Sequence, residues 1–304
     1  MKQENRLDRD KVFEKVYQIF SYVMIFAAAF LFTFPLYWII TGAFKPSVDI
    51  YATKPVWWPS EWVMDNFVKL IEKRSAALFE IKLFGYIISG PTIPAVFRWL
   101  VNTVFMAVMS LIITCLTSAM AGYVLAKKRF WGRGIIFGLI VCAMALPKQV
   151  VLIPLVRLMN SLGLYDNIWA VIFPIVGWPF GVFLLRQFAE GIPTEMVEAC
   201  RIDGASEWRT FTDVMFPMIK PGVGALAIFT FVNSWNDYFM QLIMLTSTKN
   251  LTISVGIATL QGESSTDFGI LMAGAALASV PIIVVFLLFQ KYFTKGITMG
   301  AVKG

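Results

Sequence analysis

Six stretches of this chain are apolar for about as long as a helix needs to cross a bilayer, roughly 20 residues. Ile19–Ile40, Val101–Ala126 and Phe268–Gln290 carry no charge, and neither does the shorter Ile168–Leu185. Gly134–Val156 and Val223–Thr246 each carry a single one, Lys148 and Asp237. In hydrocarbon no water satisfies backbone N–H and C=O groups, so a run of this kind must fold as a helix. The expected fold class is an all-α polytopic membrane protein with six transmembrane helices and both termini on one side. The composition agrees, with 15% charged residues against about a quarter in a soluble domain.

Lysine and arginine set the orientation. With the N-terminus inside, the inner segments hold sixteen basic residues and the outer ones nine, and the short loop Lys127–Arg133 is basic at four of its seven positions. This predicts an N-in, C-in chain: a cytoplasmic N-terminal segment 1–16, a six-helix transmembrane domain 17–292, and a cytoplasmic tail 293–304. Within the domain, an outer loop covers 41–98 and an inner loop 186–221. The first apolar run is too long for a signal-peptide core and reads as a retained helix. Pro35, Pro147, Pro154, Pro174, Pro179 and Pro281 fall in or near spans, where they predict kinks.

The same residues exclude several functions. A net charge of +7 belongs to the inner loops, and no basic patch is interleaved with base-stacking aromatics, so nucleic acid is not an expected partner. Cys115, Cys142 and Cys200 are too scattered for a disulfide framework, and without histidine no zinc or haem site is expected. No catalytic residues are expected, since no nucleophile–base set or paired intramembrane carboxylates occur. No G-x-x-x-x-G-K-[ST] run is present to cradle phosphates, so any ATP-derived energy must come from another chain. A secondary transporter or channel remains as an alternative, but it would need a coupling-ion site and commonly shows internal repeats, and neither is evident.

The inner loop reads as structured. Thr194 is placed to cap a helix with Glu195 and Glu198 near its positive end, and Met196, Ala199, Cys200 and Ile202 mark an apolar stripe. Gly204 suits the position just past the helix end, and Ser206 is placed to cap a second short helix towards Pro217. Two short helices at a glycine bend make a rigid knob suited to a partner's groove.

Here the chain resembles a family. Glu198-Ala199-Cys200, three residues, Gly204, nine residues, then Val214-Met215-Phe216-Pro217 is similar to the cytoplasmic signature of binding-protein-dependent ABC importer permeases: EAA, three residues, Gly, nine residues, Ile-x-Leu-Pro. Cys200, Val214 and Phe216 depart from it while staying small or apolar. Leu100-Val101-Asn102-Thr103, Trp235-Asn236-Asp237-Tyr238, Gln290-Lys291-Tyr292-Phe293, Gly296-Ile297-Thr298 and Gly300-Ala301-Val302-Lys303-Gly304 resemble the maltose-type, carbohydrate-uptake branch. Leu70–Ala95 has no counterpart there.

The resemblance implies the type I importer architecture and a non-catalytic permease subunit in a bacterial plasma membrane. Glu198, Ala199, Cys200, Asp203, Gly204, Ala205, Val214, Phe216 and Pro217 are then expected to couple to an ABC ATPase dimer. That ATPase would hold the ATP and magnesium, and this chain would hold no cofactor. A second homologous permease and an extracytoplasmic solute-binding protein complete the expected assembly, with a sugar or oligosaccharide as substrate. An amino acid, polyamine or anion is the alternative cargo.

An ionisable side chain inside a membrane normally faces a partner or a water-filled cavity. Lys148 and Asp237 are therefore expected on the translocation path, as an ion pair or separately. Gln149, Asn233 and Asn236 would offer hydrogen bonds, and Trp178, Trp235 and Tyr238 stacking surfaces. The competing expectation is that Lys148 snorkels outward and the aromatics form interface belts.

Overall fold

The computed structural model describes residues 2–83, 86–262 and 267–301; Val302, Lys303 and Gly304, the last residues of the tail motif, lie outside them. The chain divides into two compact units, Met1–Leu70 with Ser265–Leu277, and Ile71–Ser264 with Ala278–Gly304.

In the first unit, α1 (Lys2–Ala43) runs as one helix through Pro35. Its apolar side chains are exposed, Phe20, Phe26 and Phe32 among them, as on a lipid- or subunit-facing helix. After the short α2 (Ser47–Ile50), α3 (Asp65–Glu72) carries in its first turn Asn66, whose buried amide donates to the carbonyls of Ala43 at 3.0 Å and Lys45 at 2.9 Å. The Ala43 carbonyl is an orphan of the α1 C-terminus and Lys45 lies two residues past it, so one side chain satisfies the helix end and fixes the chain that follows.

The second unit opens on the segment that lacked a counterpart. Strands β1 (Ser75–Ala77), β2 (Glu80–Leu83), β3 (Tyr86–Ser89) and β4 (Thr92–Pro94) form a nested hairpin, β2 pairing with β3 and β1 with β4, antiparallel in both cases, with Ala76 opposite Ile93. Arg98 anchors it, donating to the carbonyls of Leu78 and Lys249, while the Lys249 ammonium pairs with Glu80. The ribbon is a small β addition to an otherwise helical chain.

There follow α4 (Ala95–Lys127), α5 (Arg133–Met144), α6 (Lys148–Ser161), α7 (Trp169–Val176), α8 (Pro179–Glu190), α9 (Thr194–Ile202), α10 (Glu207–Arg209), a π-helical turn at Thr210–Met215, α11 (Phe216–Asn236), α12 (Tyr238–Met244), α13 (Ile253–Thr259) and α14 (Phe268–Ala301). Among the described residues, five helical stretches are long and apolar enough to cross a membrane: Phe13–Ala43, Ala95–Lys127, Trp169–Glu190, Glu207–Asn236 and Phe268–Phe289. The pair α5–α6, bent by 105°, makes a sixth where it is counted as one broken span. Within the stretch 186–221, α8 runs on to Glu190, and the helical stretch that holds the next candidate span starts at Glu207. The expected end of the fifth span, Asp237–Thr246, is instead a break followed by α12.

The core of this unit lies between α4, α8, α9 and α11. Gly122 sets the α4–α8 distance: a Cβ there would stand 2.8 Å from the backbone nitrogen of Arg186 and 2.9 Å from the carbonyl carbon of Leu185. Backbone cannot give way as a side-chain tip can, so the small residue is required for this approach.

On the other end, Asp166 adopts a positive φ of 56°, which a short polar side chain tolerates. Its carboxylate accepts from the backbone N–H groups of Thr246 at 2.8 Å and Ser247 at 2.9 Å and from the Ser247 hydroxyl. Burial raises its pKa, but these bonds outweigh it and hold the group below the usual carboxylate value. A depressed folded pKa contributes stability above the unfolded value, lost as pH falls through the folded one. Asp166→Ala should therefore lower thermal stability at pH 7 by about 1–2 kcal/mol, with the difference from wild type shrinking below pH 4, as followed by unfolding in detergent.

Candidate functional site

Three helix breaks open onto one cavity of about 480 Å³. At the first, Ala145–Pro147 separates α5 from α6, and Pro147 both lacks an N–H and precedes the first residue of the new helix, Lys148. At the second, Gly177 and Trp178 separate α7 from α8, which starts at Pro179. The third is Asp237, between α11 and α12, whose side chain accepts from the N–H of Met240 at 3.4 Å and so caps the short helix it begins. Breaks of this kind within a membrane are tolerated where they line a cavity.

Lys148 Nζ stands 3.3 Å from Asp237 Oδ2, so the two intramembrane charges pair across the first and third breaks. Lys148 keeps 58% of its side chain exposed and Asp237 17%. Trp178 and Asn233 line the same cavity, as do Phe180, Met144 and the buried Ser234. The Ser234 hydroxyl has no hydrogen-bond partner among the described residues, a position nothing in the sequence pattern singled out. The lining therefore combines an indole, a charge pair, an amide and a hydroxyl on an otherwise apolar wall. Such a surface receives a solute with both apolar faces and hydroxyls.

Four of the expected path residues do not meet there. Trp235 is 2% exposed and stacks on Phe231, at a centroid distance of 5.5 Å, so its place is the helix core. Asn236 donates to the carbonyl of Val232 at 3.0 Å on its own helix. Gln149 and Tyr238 are exposed and outside the cavity lining. The rotation of 100° per residue is the cause: Asn233 and Asp237, four apart, share the cavity face, while Trp235 and Asn236 turn elsewhere. Asn233 also spends an N–H on the carbonyl of Phe229 at 2.9 Å.

At the inner side, α9 carries the signature. Its N-cap is Pro193, with no side-chain cap bond, so Thr194 is the first helical residue and not the cap. Asp203 ends the helix and Gly204 follows at φ +73°, the left-handed conformation expected just past a helix end. The expected second short helix is not separate. Ser206 caps it, its hydroxyl accepting from the N–H of Arg209 at 3.3 Å, but the chain then passes through the π turn into α11. Pro217 has no N–H for the carbonyl four residues back, which accounts for a helix that widens just before it.

The stripe of α9 splits. Val197 is buried in the core with Ile192, Phe211, Met215 and Tyr123, fastening the helix to α4 and to the base of α11. Met196, Ala199 and Ile202 face out, Ile202 at 87% exposure, with Glu198, Asp203 and Gly204 also exposed. Cys200, Ala205, Val214 and Phe216 are half-buried and Pro217 exposed. Glu207, which sequence reasoning passed over, is a hub: it accepts from Tyr123 Oη at 3.1 Å and Arg201 at 3.4 Å and pairs with Lys128.

Multi-pass helices, a cavity at three helix breaks and an inner helix with exposed apolar residues fit a membrane transport component. Residues 118–299 match the family described as binding-protein-dependent transport system inner membrane component, more than half of the chain, and the protein belongs to that family. It is 34% identical to the arabinooligosaccharides transport system permease protein AraQ of Halalkalibacterium halodurans, over 91% of this chain and 93% of that protein. It is 32% identical to the probable ABC transporter permease protein YurM of Bacillus subtilis, over 93% of this chain and 88% of that protein. Among solved structures, a subunit of a bacterial ABC transporter involved in import of the acidic polysaccharide alginate superposes with a TM-score of 0.75, covering 92% of this chain and 97% of that one at 20% identity, a likeness of fold. The chain is thus a non-catalytic inner-membrane permease that works with a solute-binding protein and a separate ATPase.

Proposed function

We propose that this permease carries a sugar or short oligosaccharide along a path through the cavity of Lys148, Asp237, Trp178, Asn233 and Ser234. The observation that carries the reading is the convergence of three helix breaks on a cavity with one indole and one paired charge, a surface that suits a polyhydroxylated ring. The oligosaccharide systems named among its relatives support the same cargo. Coupling runs through α9: its exposed face, with Glu198, Ala199 and Asp203, docks on one subunit of an ATPase dimer that binds ATP and magnesium. Val197 and the π turn pass its displacement to α4 and α11. A second homologous permease faces this one, and a binding protein delivers solute to the outer segment 41–98.

The test is reconstitution of the permease with its partner permease, ATPase and binding protein in liposomes, with ATP hydrolysis measured across a saccharide panel. One saccharide with its binding protein should raise hydrolysis several-fold. Stimulation by an amino acid, polyamine or anion alone would overturn the cargo reading, and failure to assemble with an ATPase would overturn the coupling reading.

A further inference from the structure

A second cavity lies entirely within the first unit, with a volume of about 310 Å³, at the end of α1 that the charge pattern assigns to the exterior. Its lining includes Trp38, Lys45, Asp49, Ala52 and Thr53. Lys45 is 2% exposed, unusual for a side chain whose charge is costly to bury unpaired. Its ammonium donates to the carbonyl of Val56 at 2.5 Å and lies over the Trp38 ring, 4.1 Å from the centroid. An ammonium has three N–H donors, and one carbonyl and one ring face leave capacity for an acceptor from the cavity. Burial lowers the Lys45 pKa and the nearby Asp49 carboxylate opposes this. Asp49 Oδ2 is held by the N–H and hydroxyl of Ser60, at 2.7 and 2.8 Å, which fixes the carboxylate at the cavity wall.

Donor, acceptor and indole on one small concave wall are the groups that bind a ring of hydroxyls. An anion would meet the fixed Asp49 carboxylate, and a cation would meet Lys45, so a neutral polyhydroxyl ligand fits best. The volume is at the lower end of small-molecule sites, room for a single sugar ring and not a chain.

We propose that this cavity is an outer saccharide subsite, separate from the membrane cavity, which holds one ring of the substrate through Lys45, Asp49 and Trp38. The proposal rests on the sugar reading above. In the reconstituted transporter, hydrogen–deuterium exchange of segment 45–60 is followed with the transported saccharide and without the binding protein, alongside transport kinetics. Exchange there should slow at least twofold, and Asp49→Asn and Lys45→Met should abolish that protection and raise the transport KM about fivefold or more. Because Lys45→Met removes a buried contact, Ala52→Trp serves as a second variant that fills the cavity from an exposed position, and it should do the same. A saccharide that is transported without protecting the segment, with an unchanged KM in Ala52→Trp, would overturn the subsite and leave the cargo reading standing. If no saccharide is transported at all, the cargo reading fails and the subsite fails with it.

Discussion

Gly204→Pro should abolish transport while leaving the transporter assembled, with flux in proteoliposomes falling more than tenfold. Gly204 sits at φ +73°, and proline is locked near −65°, so the substitution cannot be accommodated without rebuilding the end of α9. It also removes the N–H that donates to the carbonyl of Arg201 at 3.1 Å. Nothing lies within 4 Å of a Cβ built at this position, so the damage is to backbone conformation and not to packing. Gly204→Ala, which meets only the left-handed penalty of about 1 kcal/mol, should lose no more than a few-fold. Val197 keeps α9 attached to the core in both variants, so co-purification of the ATPase should survive while saccharide-stimulated hydrolysis and flux separate. Normal flux in Gly204→Pro would show that the bend plays no part in coupling.

The spans were legible because hydropathy over about 20 residues is a one-dimensional property that the bilayer enforces. The ends of helices are not of that kind. Asp237 reads as an interruption inside a span, yet it starts a new helix, because its carboxylate can cap Met240 where the chain has already turned. The inner signature was readable from spacing and its glycine from chemistry, but the burial of Val197 in place of Met196 and Ile202 depends on which face meets α4. The hairpin over 75–94 has no hydropathic signal, since its strands are three or four residues long and owe their place to Arg98 and to Lys249, far along the chain. In the path, the charges announced themselves by their cost in hydrocarbon, whereas Trp235 and Asn236, beside Asp237 in sequence, are turned from the cavity by their phase on α11. Ser234 was silent because a serine in a membrane helix commonly satisfies itself on its own backbone, and only its unpartnered, buried hydroxyl beside the cavity distinguishes it.

Lys148→Met and Asp237→Asn should each lower the rate of saccharide transport by about tenfold, and the two together should cost less than the sum of their separate effects. Each single change leaves a charge facing the cavity without its partner, and for Asp237, the more buried of the two, that is the larger cost. Lys148 remains more than half exposed, so the coupling energy from a double-mutant cycle should be about 1–2 kcal/mol, short of the roughly 3–5 kcal/mol of a fully buried pair. The pair also joins the start of α6 to the start of α12, and a change in either break must stretch or release it. Lys148→Asp combined with Asp237→Lys should therefore recover part of the rate, since the attraction does not depend on which helix supplies the cation. Strictly additive effects would mean that the 3.3 Å contact does not operate during transport. Wild-type KM and Vmax in both single variants would remove the cavity from the path altogether, and with it the claim that three broken helices meet there to pass a sugar.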